Sequence, residues 1–130
     1  MEKSVTYLQS CIAVNDGSGR FKLVPLPYIA QFSCLNAIES EDVNGDGKPD
    51  IIVGGNFTHF IPQLGTLDAC RGNVLINKGN MQFDVLLANQ SGFSLDGEVK
   101  QISPIKIEGK PYLISLINNA APVLFKINKL

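Results

Sequence analysis

The sharpest chemistry in this sequence lies in one nonapeptide, DVNGDGKPD, running from Asp42 to Asp50. Oxygen-bearing side chains fall at its first, third, fifth and ninth positions, Asp42, Asn44, Asp46 and Asp50, with Gly47 at the sixth and the Lys48 main-chain carbonyl at the seventh. A hard cation such as Ca²⁺ takes about six to eight oxygen ligands, and alternate side chains of a short loop hinged at glycine can wrap one. Without a cation the three carboxylates repel one another, so bound calcium is expected to stabilise the loop. An EF-hand would carry a bidentate Glu at the twelfth position, where this chain has Val53, and a helix where Ile51-Ile52-Val53 reads as strand. The loop is therefore expected to join two β-strands. Asn-Gly and Asp-Gly are also favoured in tight hairpin turns, but turn chemistry does not call for Asp42 and Asp50.

Other reactive side chains are scattered. His59 is the only histidine, and no GxSxG, HExxH or phosphate-binding glycine loop accompanies it. His59, Asp68 and Arg71 fall in one segment and form a weak candidate set for a polar ligand. The plainer expectation is an ordinary loop histidine and a local ion pair or turn contact. Asp96 and Glu98 in SLDGEVK invite comparison with a glycosidase carboxylate pair, but a DG turn followed by an exposed strand residue accounts for them more simply. No catalytic constellation emerges, and the expectation is a protein that is not an enzyme. Cys11, Cys34 and Cys70 contain no CxxC pair; one disulfide with a spare thiol and three buried small apolar side chains are both open, the second being favoured. Asn56-Phe-Thr58 and Asn89-Gln-Ser91 match the glycosylation sequon by pattern.

Composition narrows the class. The chain has 130 residues, 45% of them hydrophobic and 18% charged, with 11 Lys+Arg against 12 Asp+Glu. That is too apolar for disorder and long enough for one core. A net charge of −1 without a basic cluster argues against nucleic acid or an anionic membrane as the main partner. No apolar run reaches the ~20 residues of a membrane helix, and the opening MEKSVTYLQS lacks the apolar stretch of a signal peptide.

The elements that must position the loop are short apolar runs separated by Gly, Asn, Asp or Pro, which predicts an all-β protein. The expected strands are Val5–Leu8, Cys11–Asn15, Phe21–Leu26, Leu35–Ser40, Asp50–Gly54, Val74–Asn77, Phe83–Ala88, Val99–Pro104, Tyr112–Ile117 and Val123–Ile127. Set against itself at an offset of 62 residues, the chain aligns Gly17 with Gly79, Phe21 with Phe83, GKPD at 47–50 with GKPY at 109–112, and Asn56 with Asn118. The expectation is a single all-β unit, 1–130, with repeats at about 10–71 and 72–130 and a loop insertion at about 58–71 in the first. At that offset Asp42, Asn44, Asp46 and Asp50 fall on Pro104, Lys106, Glu108 and Tyr112, so the turn is expected to persist without its ligands. Four-stranded units of this period read as β-propeller blades: one complete from about Leu35 to Ala88, a partial one lacking its first strand before it, and one lacking its fourth strand after it. The ring is left incomplete.

DVNGDGKPDIIVGG resembles the calcium loop of FG-GAP or VCBS-type repeats, the blades of integrin-like β-propellers. The longer run QFSCLNAIESEDVNGDGKPDIIVGGNFTHFIPQLGTLDACRGNVLINKG, with SGFSLDGEVK beyond it, resembles the C-terminal end of large secreted VCBS repeat proteins of Bacteroidetes-type bacteria. The resemblance implies a calcium-binding propeller outside the cell or at its surface, within a larger exported protein, serving adhesion or recognition of a protein or glycan. Its partners would be the remaining blades or a self-associating copy. An accessory part of a larger extracellular enzyme and a self-associating structural module are the alternatives.

Overall fold

The computed structural model describes residues 3–61, 63 and 65–128. Nine strands form: β1 (Cys11–Asn15), β2 (Phe21–Pro25), β3 (Leu35–Glu41), β4 (Asp50–Gly55), β5 (Asn73–Gly79), β6 (Gln82–Leu86), β7 (Val99–Ile107), β8 (Lys110–Ile117) and β9 (Val123–Lys126). A 3₁₀ turn at Tyr28–Gln31 follows β2, and a one-turn helix, α1 (Ala88–Ser91), follows β6. The expected strand at Val5–Leu8 does not form. Its apolar side chains meet no core, Val5 and Leu8 being 77% and 89% exposed, and apolar content without a pairing partner does not make a strand.

The strands make three antiparallel sheets in chain order: β1-β2, β3-β4-β5-β6 and β7-β8-β9. The first therefore has two strands where three were expected. The middle sheet is covered on both faces, which is why β5 begins with four buried residues in succession. On one face Ala37, Ile52, Val74 and Ile76 pack with Val99, Ile102 and Leu113 of the third sheet, and with Phe93 and Leu95 from the connection that precedes it. On the other, Ile51, Leu75, Phe83 and Val85 pack with Ile12 of β1, Leu26 and Ala30. The period-2 alternation of β4 thus sends Ile51 to one layer and Ile52 to the other.

Two glycines set how closely the layers approach at the far end of β4. A Cβ on Gly55 would lie 1.8 Å from the Cys34 carbonyl oxygen, and one on Gly54 would lie 2.8 Å from Val99 Cγ1. Side chains here would push β4 away from both neighbours.

Pairing registers repeat along the chain in part. Asn15 faces Phe21 across β1-β2, and Asn77 faces Phe83 across β5-β6, 62 residues on in both strands. The turns match as well: Asn15 Oδ1 accepts the Gly17 N–H at 2.8 Å, and Asn77 Oδ1 accepts that of Gly79 at 2.8 Å. The other two hairpins differ. Val53 faces Ile38, but Ser115 faces Ile102 rather than Lys100. The β7-β8 ladder continues through Lys106↔Pro111 and Ile107↔Lys110, leaving only Glu108 and Gly109 in the turn, both at positive φ. The expected survival of the DGKP turn in the second copy is thereby corrected: eight residues between β3 and β4 are replaced by a two-residue hairpin of the primed type.

Candidate functional site

The loop from Asp42 to Pro49 is wound by its own side chains. Asp42 Oδ1 accepts the Gly45 N–H at 2.7 Å, and its Oδ2 accepts that of Gly47 at 3.1 Å. Asn44 Oδ1 accepts from Asp46 N at 2.9 Å, and Asp46 Oδ1 from Lys48 N at 2.9 Å. Gly45 and Gly47 take φ values of 82° and 83°, a left-handed conformation that glycine adopts without strain. The Lys48 ammonium sits 3.0 Å from Asp46 Oδ2. These contacts, the Lys48 N–H first and its ammonium second, hold the Asp46 carboxyl below the usual aspartate range.

Asp50 is a different kind of residue from the other three. It is fully buried, and its two oxygens accept from Val43 N at 3.1 Å and Asn77 N at 2.9 Å. One carboxylate thus fastens the loop's start to β4 and β5. Asn77 Nδ2 adds a bond to the Pro49 carbonyl at 3.0 Å. Each oxygen of Asp42, Asp46 and Asp50 accepts one of these bonds and keeps a further lone pair, so the donor set suits a hard, oxygen-seeking cation. Among the described residues, however, no three acidic, histidine or cysteine side chains stand together as a ready metal cluster. A cation would have to draw these side chains inward and displace Lys48 from Asp46.

The opposite end of β4 holds a site that sequence reasoning missed. Glu98, expected to be an exposed strand residue, is 3% exposed. Its Oε1 accepts from Thr58 N at 2.6 Å, Thr58 Oγ1 at 3.0 Å and His59 Nδ1 at 2.8 Å. Its Oε2 lies 3.0 Å from Asn118 Nδ2 and 3.1 Å from the Lys100 ammonium. An ionised carboxylate only accepts, so the His59 proton on this side sits on Nδ1. The Thr58 N–H above all, then His59, hold the carboxyl far below the ordinary glutamate range despite its burial.

Beside it Asn56, 2% exposed and at φ 84°, saturates its amide. Its Nδ2 donates to the carbonyls of Cys70 at 2.7 Å and Gly97 at 3.0 Å, and its Oδ1 accepts from Cys70 N at 2.9 Å and Ser33 Oγ at 3.0 Å. Buried and fully bonded, this sequon asparagine serves the folded chain as a structural amide. Together Asn56 and Glu98 tie β4, the segment after it, the approach to β7 and the end of β8 into one polar junction.

The remaining candidates separate. His59 is bonded to Glu98 while its ring stays largely exposed. Arg71 reaches Asp96 at 2.6 Å in a solvated ion pair, and Asp68 is exposed and joins neither network among the described contacts. The long insertion does not gather His59, Asp68 and Arg71 into one pocket. It is closed at its base by reciprocal bonds between Phe57 and Leu67, at 2.8 and 2.9 Å. Asp96 and Glu98 meet different surroundings, one an exposed partner of Arg71 and the other a buried anchor. All three cysteines are free thiols, but only Cys70 is buried, and burial pushes its pKa up. Cys11 and Cys34 are half-buried, which corrects the expectation of three core side chains. Set against protein-family models, curated proteins and solved structures, the chain matches none.

Proposed function

We propose that this chain is a non-enzymatic, calcium-stabilised β-sheet module of the FG-GAP/VCBS type, belonging to an extracellular or cell-surface protein concerned with adhesion or ligand recognition. The observation that carries the reading is the loop itself. Asp42 gathers the N–H groups of Gly45 and Gly47, Asn44 and Asp46 each accept the N–H two residues on, and Asp50 anchors the exit to β5. Asp42, Asn44, Asp46, the Lys48 carbonyl and Asp50 would hold the ion, whose charge would offset the mutual repulsion of the carboxylates. The equal registers of β1-β2 and β5-β6 support a chain built from repeated units, and the sequential four-stranded sheet supports reading those units as blades. Recognition would fall to the 58–71 insertion, which a structural metal leaves free.

The test is a thermal melt with calcium, magnesium and chelator. Calcium at about 100 times its dissociation constant should stabilise the fold by about 2.7 kcal/mol, and Asp46→Ala should abolish the response. A melting curve that is the same in calcium and in chelator removes the metal from this reading.

A further inference from the structure

We propose that the two outer sheets are complementary ends, and that copies of this chain associate head to tail, the exposed face of β1-β2 in one copy packing on the exposed face of β8-β9 in the next. The argument compares surfaces that are open at the ends of the stack with their counterparts inside it.

On the middle sheet, Leu75, Phe83 and Val85 form the face that packs on the first sheet, and Leu75 is fully buried there. Ala13, Phe21 and Leu23 stand 62 residues earlier in the same register, Ala13 facing Leu23 as Leu75 faces Val85. On the first sheet this face is uncovered: Phe21 is 61% and Leu23 44% exposed. The described residues before β1 do not shield it: Val5 and Leu8 are themselves exposed.

The other end shows the converse. On the middle sheet the pair Ile52↔Val74 is buried, at 0% and 5% exposure, beneath the third sheet. On the third sheet the corresponding pair is Ile114↔Leu124, with Ile114 placed 62 residues after Ile52. Alternation turns this pair away from the face that carries Leu113, and Leu124 is 50% exposed.

Each end therefore presents the apolar surface that the middle layer buries, and the two ends present opposite members of one contact. Inside the chain, the Leu75 and Val85 face is covered by the Ile12 face of the first sheet, and Ile12 corresponds by the same offset to Val74. The Ile114↔Leu124 face, the counterpart of Ile52↔Val74, is thus the kind of surface that fits over Ala13, Phe21 and Leu23. A second copy supplies it. The contact is heterologous, so each copy keeps one face of each kind and growth continues until a ring closes or a filament extends. The proposal rests on sheet faces alone and does not depend on the loop binding a metal.

Sedimentation velocity on the full chain across a concentration series tests it, with calcium and with chelator. The wild type should gain mass with concentration. Leu23→Asp and Leu124→Asp, both at exposed positions, should each weaken association at least about tenfold, a loss of about 1.4 kcal/mol. An equimolar mixture of the two should recover two-copy complexes and nothing longer, because one variant retains an intact β8-β9 face and the other an intact β1-β2 face. Phe21→Lys provides a second block at the first face should Leu23→Asp lower the melting temperature. A wild type that stays single at all concentrations, a Leu23→Asp or Phe21→Lys variant that still assembles alone, or a mixture that stays single, would each overturn the proposal.

Discussion

The six residues of β4 connect two polar regions built on opposite plans. At its start, the loop from Asp42 to Asp50 satisfies its N–H groups with side chains a few residues away: Asp42 reaches three and five residues on, Asn44 and Asp46 two. At its end, Asn56 and Glu98 are bonded to partners 14 to 41 residues distant, Lys100 beside Glu98 being the one local contact among those described. The first region is open to water, apart from Asp50; in the second, Asn56 and Glu98 are buried beneath partners that reach the surface. A surface loop can reorganise around a ligand at low cost, whereas a buried network must be complete to be stable at all. On the reading proposed above the two would do different work: the loop would hold an ion, and the junction would keep the sheets in place while it does.

The strongest way to break that contrast is at Asn56. Asn56→Ala would take the partner from two carbonyls and from the Cys70 N–H, leave Ser33 Oγ only its Leu67 carbonyl, and place alanine at a positive φ, so chemical denaturation should show a loss of about 3–5 kcal/mol. A loss under about 1 kcal/mol would mean that the junction is ornamental. Glu98→Gln comes next, at about 2–3 kcal/mol, because an amide N–H₂ would be turned toward groups that also donate. Glu98 adds a pH signature. Its folded pKa lies below the unfolded one, so its contribution is full above the ordinary glutamate value of about 4.3 and is lost as pH falls below it. Stability measured from pH 7 to 3 should therefore fall more steeply in the wild type than in Glu98→Gln; parallel curves would count against the assignment.

Perturbing the loop should matter less to the fold itself and more to the calcium binding proposed for it. Lys48→Met removes the ammonium that competes for Asp46, and should tighten calcium binding by roughly threefold in calorimetry while shifting apo stability by under about 1 kcal/mol. Unchanged or weaker binding would show that Lys48 is no competitor. The smallest effect is expected from Arg71→Ala, which breaks only the solvated pair with Asp96: about 0.5 kcal/mol or less, within the usual range for exposed ion pairs.

The same contrast explains what could be read from residue order. Asp42, Asn44, Asp46 and Asp50 advertise themselves because their chemistry depends on spacing within nine positions. The strands were equally visible, since Ile51-Ile52-Val53 and Val74-Leu75-Ile76 are apolar runs bounded by turn residues. Glu98 was invisible. Nothing in SLDGEVK says that Thr58, His59 and Asn118 will surround it, and only the faint match of Asn56 with Asn118 at one offset hinted that both strand ends were special. Val5–Leu8 failed in the reverse sense, having strand composition but no neighbour. Cys11 and Cys34 failed because residue type predicts average burial rather than which of two layers a side chain meets.

The unequal hairpins have a further consequence. β3-β4 and β7-β8 arrive at their turns as the same kind of antiparallel pair, yet one spans eight residues and the other two, Glu108 and Gly109, while the ladder beside each stays intact. Turn length at this end is thus decoupled from the sheets beneath it, and the Asp42–Pro49 segment behaves as a replaceable cassette. Transplanted between Ile105 and Tyr112, the positions that correspond to Glu41 and Asp50 across the β7-β8 pair, it should carry its Asx turns with it. What it could not carry is the buried carboxylate, because Tyr112 occupies the place of Asp50. The graft becomes a way to ask how much of the loop's chemistry is portable and how much is owed to the ground on which it stands.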